Sequence, residues 1–225
     1  VRNCEIAYST KPSGSYIHAG LRSIDSRVYV ANTIIHHLNS NGIYFADDGP
    51  WSGTELRSYN NTIAHNAVGV RLFMPDMAEF TNCIFASNQL TFDPRGVRAG
   101  GIGPTFIRRV EMRNCLTTSI EYDWRLTLIS GGNQKNTDPL FINDSLGNFR
   151  LFGHSPAVNA GTINTQSLNL GGIDFNGNPR INDGRIDIGA IEHQKFFSKS
   201  QNDFFQYYIL YLNALVSINI HLNIF

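Results

Sequence analysis

The first half of the chain alternates apolar and polar residues in short runs, of which Gly42-Ile43-Tyr44-Phe45 and Gly69-Val70-Arg71-Leu72-Phe73 are the clearest. A period of two over runs this short predicts β-strands rather than helical faces. The runs are themselves periodic. Asn followed by Cys or Thr recurs as Asn3-Cys4, Asn32-Thr33, Asn61-Thr62, Asn82-Cys83 and Asn114-Cys115, in steps of 29, 29, 21 and 32 residues. Two positions before each Asn stands an apolar residue (Val1, Val30, Tyr59, Phe80 or Met112), and two positions after it stands Glu5, Ile34, Ile63, Ile84 or Leu116. Repetition at this period predicts a solenoid whose coils stack at the inter-strand spacing of about 4.8 Å. Each coil reads as strand, Asn bend, strand, Gly turn, strand, then an excursion to the next coil.

The Asn column has a physical cause. Asn tolerates the left-handed backbone of a sharp bend, and its amide can pair with the Asn of the coils above and below. Asn3, Asn32, Asn61, Asn82 and Asn114 therefore predict a ladder that satisfies buried polar groups. Units such as Tyr59-Asn60-Asn61-Thr62-Ile63 resemble those of the right-handed parallel β-helix family, the fold shared with pectate lyases. The resemblance covers residues 1–137 and implies an all-β, right-handed parallel β-helix solenoid of about five coils, closed by an irregular β cap at its C-terminal side. The chain opens at Val1 in mid-repeat, so it reads as a fragment with further coils upstream.

From residue 138 a different pattern runs to 193: Asp138-Pro139-Leu140-Phe141, Asn148-Phe149-Arg150-Leu151, Ser155 to Gly161, Asp174 to Arg180 and Ile186 to Glu192. This block is similar to the C-terminal region of choice-of-anchor Q domain proteins, a bacterial surface and secreted β-helix family. The resemblance implies an extracellular or cell-surface location. Asn176-Gly177 and Asp183-Gly184 are hairpin-turn dipeptides, with Arg180 and Asp187 placed to bridge the second hairpin. Asp174, Asn176 and Asn178 put oxygen side chains at alternate positions, which suits either turn chemistry or a Ca²⁺ ion. Residues 194–225 depart from the pattern. Phe204 to Phe225 contains no Asp, Glu, Lys or Arg. Three readings stand for it: an atypical or frameshifted tail, an extra edge strand, or a membrane anchor, which would be the only route to a membrane.

Composition narrows the partners. With 18 basic and 18 acidic residues the net charge is zero, which argues against nucleic-acid or polybasic membrane binding. Three cysteines, Cys4, Cys83 and Cys115, share one column and read as small buried fillers rather than a disulfide framework. β-Helix proteins of the resembled family engage extended glycans along the stack, so the expected partner is a polysaccharide or cell-envelope glycan, bound by a monomer. Excursions at Ala46–Thr54, Met74–Met77 and Asp93–Pro104 leave from one corner. Trp51 can stack on a sugar, and Arg71, Arg95 and Arg98 can pair with a uronate carboxylate. His36 and His65, 29 residues apart, read as equivalent positions able to act as acid or base, with Asp47 and Asp48 as the candidate carboxylates. Asp47 and Asp48 are adjacent on one strand-exit turn rather than a resolved pair, and no third acid aligns with them on a neighbouring coil in this reading. The leading expectation is glycan binding without catalysis, the alternatives being a polysaccharide lyase or hydrolase and an adhesin or structural stalk.

Overall fold

The computed structural model describes residues 1–8, 18–47, 53–73, 76–93, 110–119, 128–162, 168, 170–182 and 184–194. Residues 1–193 form one compact unit. Strand β1 (Glu5–Ala7) opens the chain. The first coil follows with β2 (Ala19–Ile24), β3 (Arg27–Ala31) and β4 (Ile34–His36). The second contains β5 (Asn41–Ala46), β6 (Glu55–Tyr59) and β7 (Thr62–Ala64). The third contains β8 (Val68–Phe73), β9 (Met77–Thr81) and β10 (Ile84–Ala86). The fourth contains β11 (Leu90–Asp93), β12 (Val110–Arg113) and β13 (Leu116–Thr117). Strands β14 (Leu128–Gly131) and β15 (Gln134–Lys135) belong to a fifth.

Every pairing among these strands is parallel and joins one coil to the next, which makes the protein a three-faced parallel β-helix. Face 1 is β2-β5-β8-β11, face 2 is β3-β6-β9-β12-β14, and face 3 is β1-β4-β7-β10-β13-β15. Inward-facing residues of all three form one core that includes Val30, Ile35, Phe45, Ile63, Leu72, Phe80, Phe85 and Met112. Phe80, Phe85 and Phe92 meet edge-on or tilted at 5.1–5.5 Å, the geometry aromatic rings prefer. At the corner entering face 1, a Cβ on Gly42 would lie 2.6 Å from the Gly69 carbonyl. Only glycine lets the coils close there.

Register corrects the alignment of the second coil. Ile34, Thr62, Ile84 and Leu116 are partners, so the left-handed bend falls on Asn32, Asn60, Asn82 and Asn114. Asn61 is not in that column. It occupies the next one, with Thr33, Cys83, Cys115 and Asn133, whose side chains face inward. Asn61 Oδ1 accepts from Thr33 N at 2.8 Å while its Nδ2 donates to Val30 O at 2.9 Å. Asn133 treats Cys115 N and Met112 O the same way. Cys115 Sγ accepts from Cys83 N at 3.4 Å, a thiol standing where other coils use an amide. All three cysteines are free thiols.

The described residues of the 138–193 block lie along the flank of face 3. A hairpin, β16 (Phe141–Asn143) and β17 (Asn148–Leu151), is followed by irregular chain held by single bridges. Phe149, Leu151, Ala157, Ile188, Ala190 and Ile191 pack on Ile34, Ala64, Ile84, Ala86 and Leu116. Face 3 is thus buried on both sides, which explains why its strands read as apolar runs such as Ile84-Phe85-Ala86 rather than as alternation. The bend asparagines fasten the cover: Asn32 Nδ2 donates to Leu170 O and Ile173 O, and Asn60 Nδ2 to Asp187 O and Gly189 O. Among the described bend asparagines one direct amide rung joins two coils, Asn82 Nδ2 to Asn60 Oδ1 at 3.2 Å.

Arg180 pairs with Glu192 at 2.8 Å, not with Asp187 as the hairpin reading had it. Asp187 instead accepts from Asn159 N and His193 N. The oxygens of Asp174 accept from Asn178 N at 2.7 Å and Glu192 N at 2.9 Å, while Asn176 is exposed. Among the described residues no group of three or more His, Cys, Asp or Glu is placed to hold a metal ion.

Candidate functional site: a histidine corner and its cleft

The same register moves the histidines. His36 pairs with Ala64, so the equivalent of His65 is His37, and the 29-residue step misaligns His36 and His65. Tyr8, His37, His65 and Ser87 occupy the bend between face 3 and face 1, all with φ near +53°. Stacking follows from the coil repeat. Tyr8 and His37 rings are 5.1 Å apart at 21°, and His37 and His65 rings 4.7 Å apart at 14°. His36 faces outward from β4 yet is fully buried, because Phe149 of the cover lies edge-on to it at 4.8 Å.

Two carboxylates fix the column. Glu5 Oε1 lies 2.8 Å from His36 Nε2, and Asp144 Oδ2 lies 2.8 Å from His65 Nε2. His36 Nδ1 and His37 Nδ1 are 2.7 Å apart. With His36 Nε2 donating to Glu5, a neutral His36 accepts at Nδ1 and His37 donates. Glu5, the acid that breaks the apolar column of the sequence, is therefore the partner of a buried imidazole. The pKa of His37 is held below the ordinary 6.5, by burial first and then by His65 and His36, with Asp144 opposing. A histidine with a depressed folded-state pKa contributes stability that is complete above pH 6.5 and is lost as pH falls below it. The melting temperature is expected to fall more steeply between pH 7 and 5 in the native chain than in His37→Asn. Parallel curves would sink this assignment.

Beside the dyad lies a cleft of about 450 Å³ between the corner and the hairpin. Its wall brings together Asp138, Asp144, Asn136, Ser87 and Thr118 with Phe141 and Phe152. Phe152 is 45% exposed and stacks on His154 at 5.7 Å. Hydroxyl, amide and carboxylate groups next to an open aromatic ring match the donors, acceptors and apolar faces of a sugar. Ser87 continues the column one coil beyond His65. The His65 imidazole orients the Asp144 carboxylate in the wall of the cleft.

The other sequence-stated residues fall elsewhere. Asp47 accepts from Thr54 Oγ1 at 3.3 Å and ties the base of the excursion between β5 and β6. Arg71 stands on the outer side of face 1 in register with Tyr44 and Arg22, and the Arg22 guanidinium lies 6.0 Å over the Tyr44 ring. Neither joins the histidines at the cleft. Asp48, Trp51, Arg95, Arg98 and the 195–225 tail lie outside the described residues. Asp138, Asp144, Asn136 and Phe152 were not singled out from sequence. Asp138 is visible there only as part of the 138–141 motif. Compared with protein-family models, curated proteins and solved structures, the chain matches none of them.

Proposed function

We propose that the protein is a glycan-binding β-helix module. The observation that carries this is the cleft, where hydroxyl, amide and carboxylate side chains converge beside the exposed Phe152 ring. Two carboxylates and no described cation line it, so its ligand is a neutral or amino sugar rather than a uronate. The similarity of the 138–193 block to choice-of-anchor Q proteins, and of the coils to pectate-lyase-like β-helices, supports a surface-tethered or secreted setting in which such glycans are met. A hydrolytic reading has one observation of its own. Asp144 and Asp138 share the cleft, and Asp144 is oriented by His65 at 2.8 Å.

The test is titration calorimetry of the full chain against neutral and amino-bearing oligosaccharides, with reducing ends assayed in the same samples. Phe152→Ala and Asp138→Asn alter exposed side chains, and each is expected to weaken binding about tenfold. New reducing ends lost in Asp144→Asn would replace the binding module with a hydrolase. Unchanged affinity in both cleft variants, or no neutral or amino glycan bound at all, would refute the proposal.

A further inference from the structure

The wall of the cleft at the histidine corner contains a strained residue. Seven of the described non-glycine residues in the left-handed region are asparagines, and Leu140, with φ +53°, is the one aliphatic side chain among them. Asn accepts that conformation because its short amide bonds locally, whereas a leucine Cβ crowds the following carbonyl. The segment around Leu140 is held from several directions. Pro139 fixes its own φ and biases Asp138 away from helical backbone. Asp138 Oδ1 accepts from Leu140 N at 2.8 Å, Ser155 Oγ donates to Pro139 O, and Leu140 O accepts from Phe152 N at 3.0 Å. Backbone strain persists only where its surroundings over-determine it, and it gathers where ligands are clamped.

Core packing does not explain the leucine. Its neighbour Phe141 packs on the face 3 core with Phe149, but Leu140 is not part of that cluster. It stays half-buried in the cleft wall. The polar groups that line the wall with it are partly engaged. Asp144 Oδ2 lies 2.8 Å from His65 Nε2 and Asp138 Oδ1 is bonded to Leu140 N, so among the described contacts one oxygen of each carboxylate is left to accept. Thr118 Oγ1 accepts from Ser87 N at 3.0 Å, which leaves its proton to donate. The cleft thus combines carboxylate acceptors, a hydroxyl donor and an aliphatic surface with the exposed Phe152 ring. An acetamido group carries the matching parts on adjoining bonds: an N–H, a carbonyl and a methyl. A free ammonium would satisfy the acids but lose hydration against Leu140 and Phe152.

We infer that Leu140 is the specificity-determining residue of this cleft, held in its wall to receive the methyl of an N-acetylated sugar. The inference rests on the glycan-binding reading above and narrows its ligand to one class. Leu140 gives up backbone stability to present an aliphatic group at a position that suits asparagine.

The experiment titrates the full chain with three β-1,4-linked tetrasaccharides that differ only at carbon 2: N-acetylated chitotetraose, its deacetylated ammonium form and cellotetraose. The acetamido form is expected to bind about tenfold tighter than either of the others. Leu140→Asn should bring the three within about twofold of one another, while Leu140→Met, which keeps an aliphatic side chain, should retain the preference. A merely structural leucine would lower the melting temperature of Leu140→Asn and leave the ratio in place. Equal or tighter binding of the ammonium form or of cellotetraose by the native chain, or a preference that survives in Leu140→Asn, would overturn the inference. If Phe152→Ala still weakens binding in those cases, the glycan module itself stands. Silence with all three sugars would also overturn the role of Leu140, and the glycan-binding reading falls with it only if the wider panel is silent too.

Discussion

Arg180→Met is expected to destabilise the protein by about 2–5 kcal/mol, the cost of stripping a donor from several buried acceptors at once. Arg180 is 2% exposed, and its guanidinium makes four contacts. It reaches Glu192 Oε1 at 2.8 Å, Asn32 Oδ1 at 2.5 Å, Gly189 O at 3.3 Å and Ala190 O at 3.0 Å. One side chain thus joins the bend of the first coil, the 189–190 backbone and the acid that receives Asp187 N at 3.0 Å. Methionine fills the volume and satisfies none of these groups. Chemical denaturation followed by circular dichroism reads the loss, and hydrogen exchange should place it first in the amides of 174–193. A change under about 1 kcal/mol would mean that the network contributes little net free energy.

The same network fixes the sign of a pH dependence. Burial, then the neighbouring Asp187 carboxylate, pushes Glu192 from 4.5 up to about 8 against the pull of Arg180. A carboxyl with a raised folded-state pKa contributes stability that is whole below 4.5 and decays as pH rises through about 8. Removing the arginine removes the main opposing pull, so Arg180→Met should be hurt more at pH 8 than at pH 5. His37 acts in the opposite direction at the other end of the cover. The interface between cover and coils is thereby weakened by acid at the histidine corner and by base at the Arg180 network.

The parallel β-helix was legible because its two signals, period-two runs and a recurrent Asn, survive without knowing register. Register itself was not. Between Arg57 and Ile63 the chain offers Ser58-Tyr59-Asn60-Asn61-Thr62, and apolar columns favour placing Tyr59 and Ile63 with Val30 and Ile34. The fold instead seats Ser58 and Thr62 there. Two adjacent asparagines allow this choice. Asn60 takes the left-handed bend and reaches the cover, while Asn61 turns inward and caps Thr33 N and Val30 O. Pairing of the polar groups of two coils outweighs keeping one column apolar, since a buried unpaired amide costs about 1–3 kcal/mol.

That one-residue slip also hid the site. Counting 29 residues from His36 lands on His65, but the 28-residue coil makes His37 its true neighbour, and only then do the rings stack. Apart from the 138–141 motif, the cleft had no sequence signal. Asp144 and Phe152 come to the corner through a hairpin whose docking depends on face 3 being apolar on its outer side. Ile34, Ala64, Ile84 and Leu116 stand in that face, and their two-sided burial is what a continuous apolar run encodes.

A second ladder, at the corner beside the histidines, supports the last and sharpest stability test. Asn66 is 1% exposed. Its Oδ1 accepts from Leu38 N at 3.2 Å, and its Nδ2 donates to Ile35 O at 3.1 Å and Asn88 Oδ1 at 3.1 Å. Asn88 repeats the device one coil on, accepting from Asn66 N at 3.0 Å and donating to Ile63 O at 2.8 Å. Asn66→Ala strips partners from a buried N–H and a buried carbonyl at once, for an expected loss of about 2–5 kcal/mol. Asn66→Asp keeps the acceptor for Leu38 N but turns an oxygen toward the Ile35 carbonyl and Asn88 Oδ1. It should therefore be the worse variant at neutral pH and recover in acid, where the protonated carboxyl donates again. Gln89→Ala, at an exposed neighbour, should change stability by less than about 0.5 kcal/mol. If Asn66→Ala proves as mild as Gln89→Ala, water or a shifted backbone satisfies those groups, and the corner is not held by its amides.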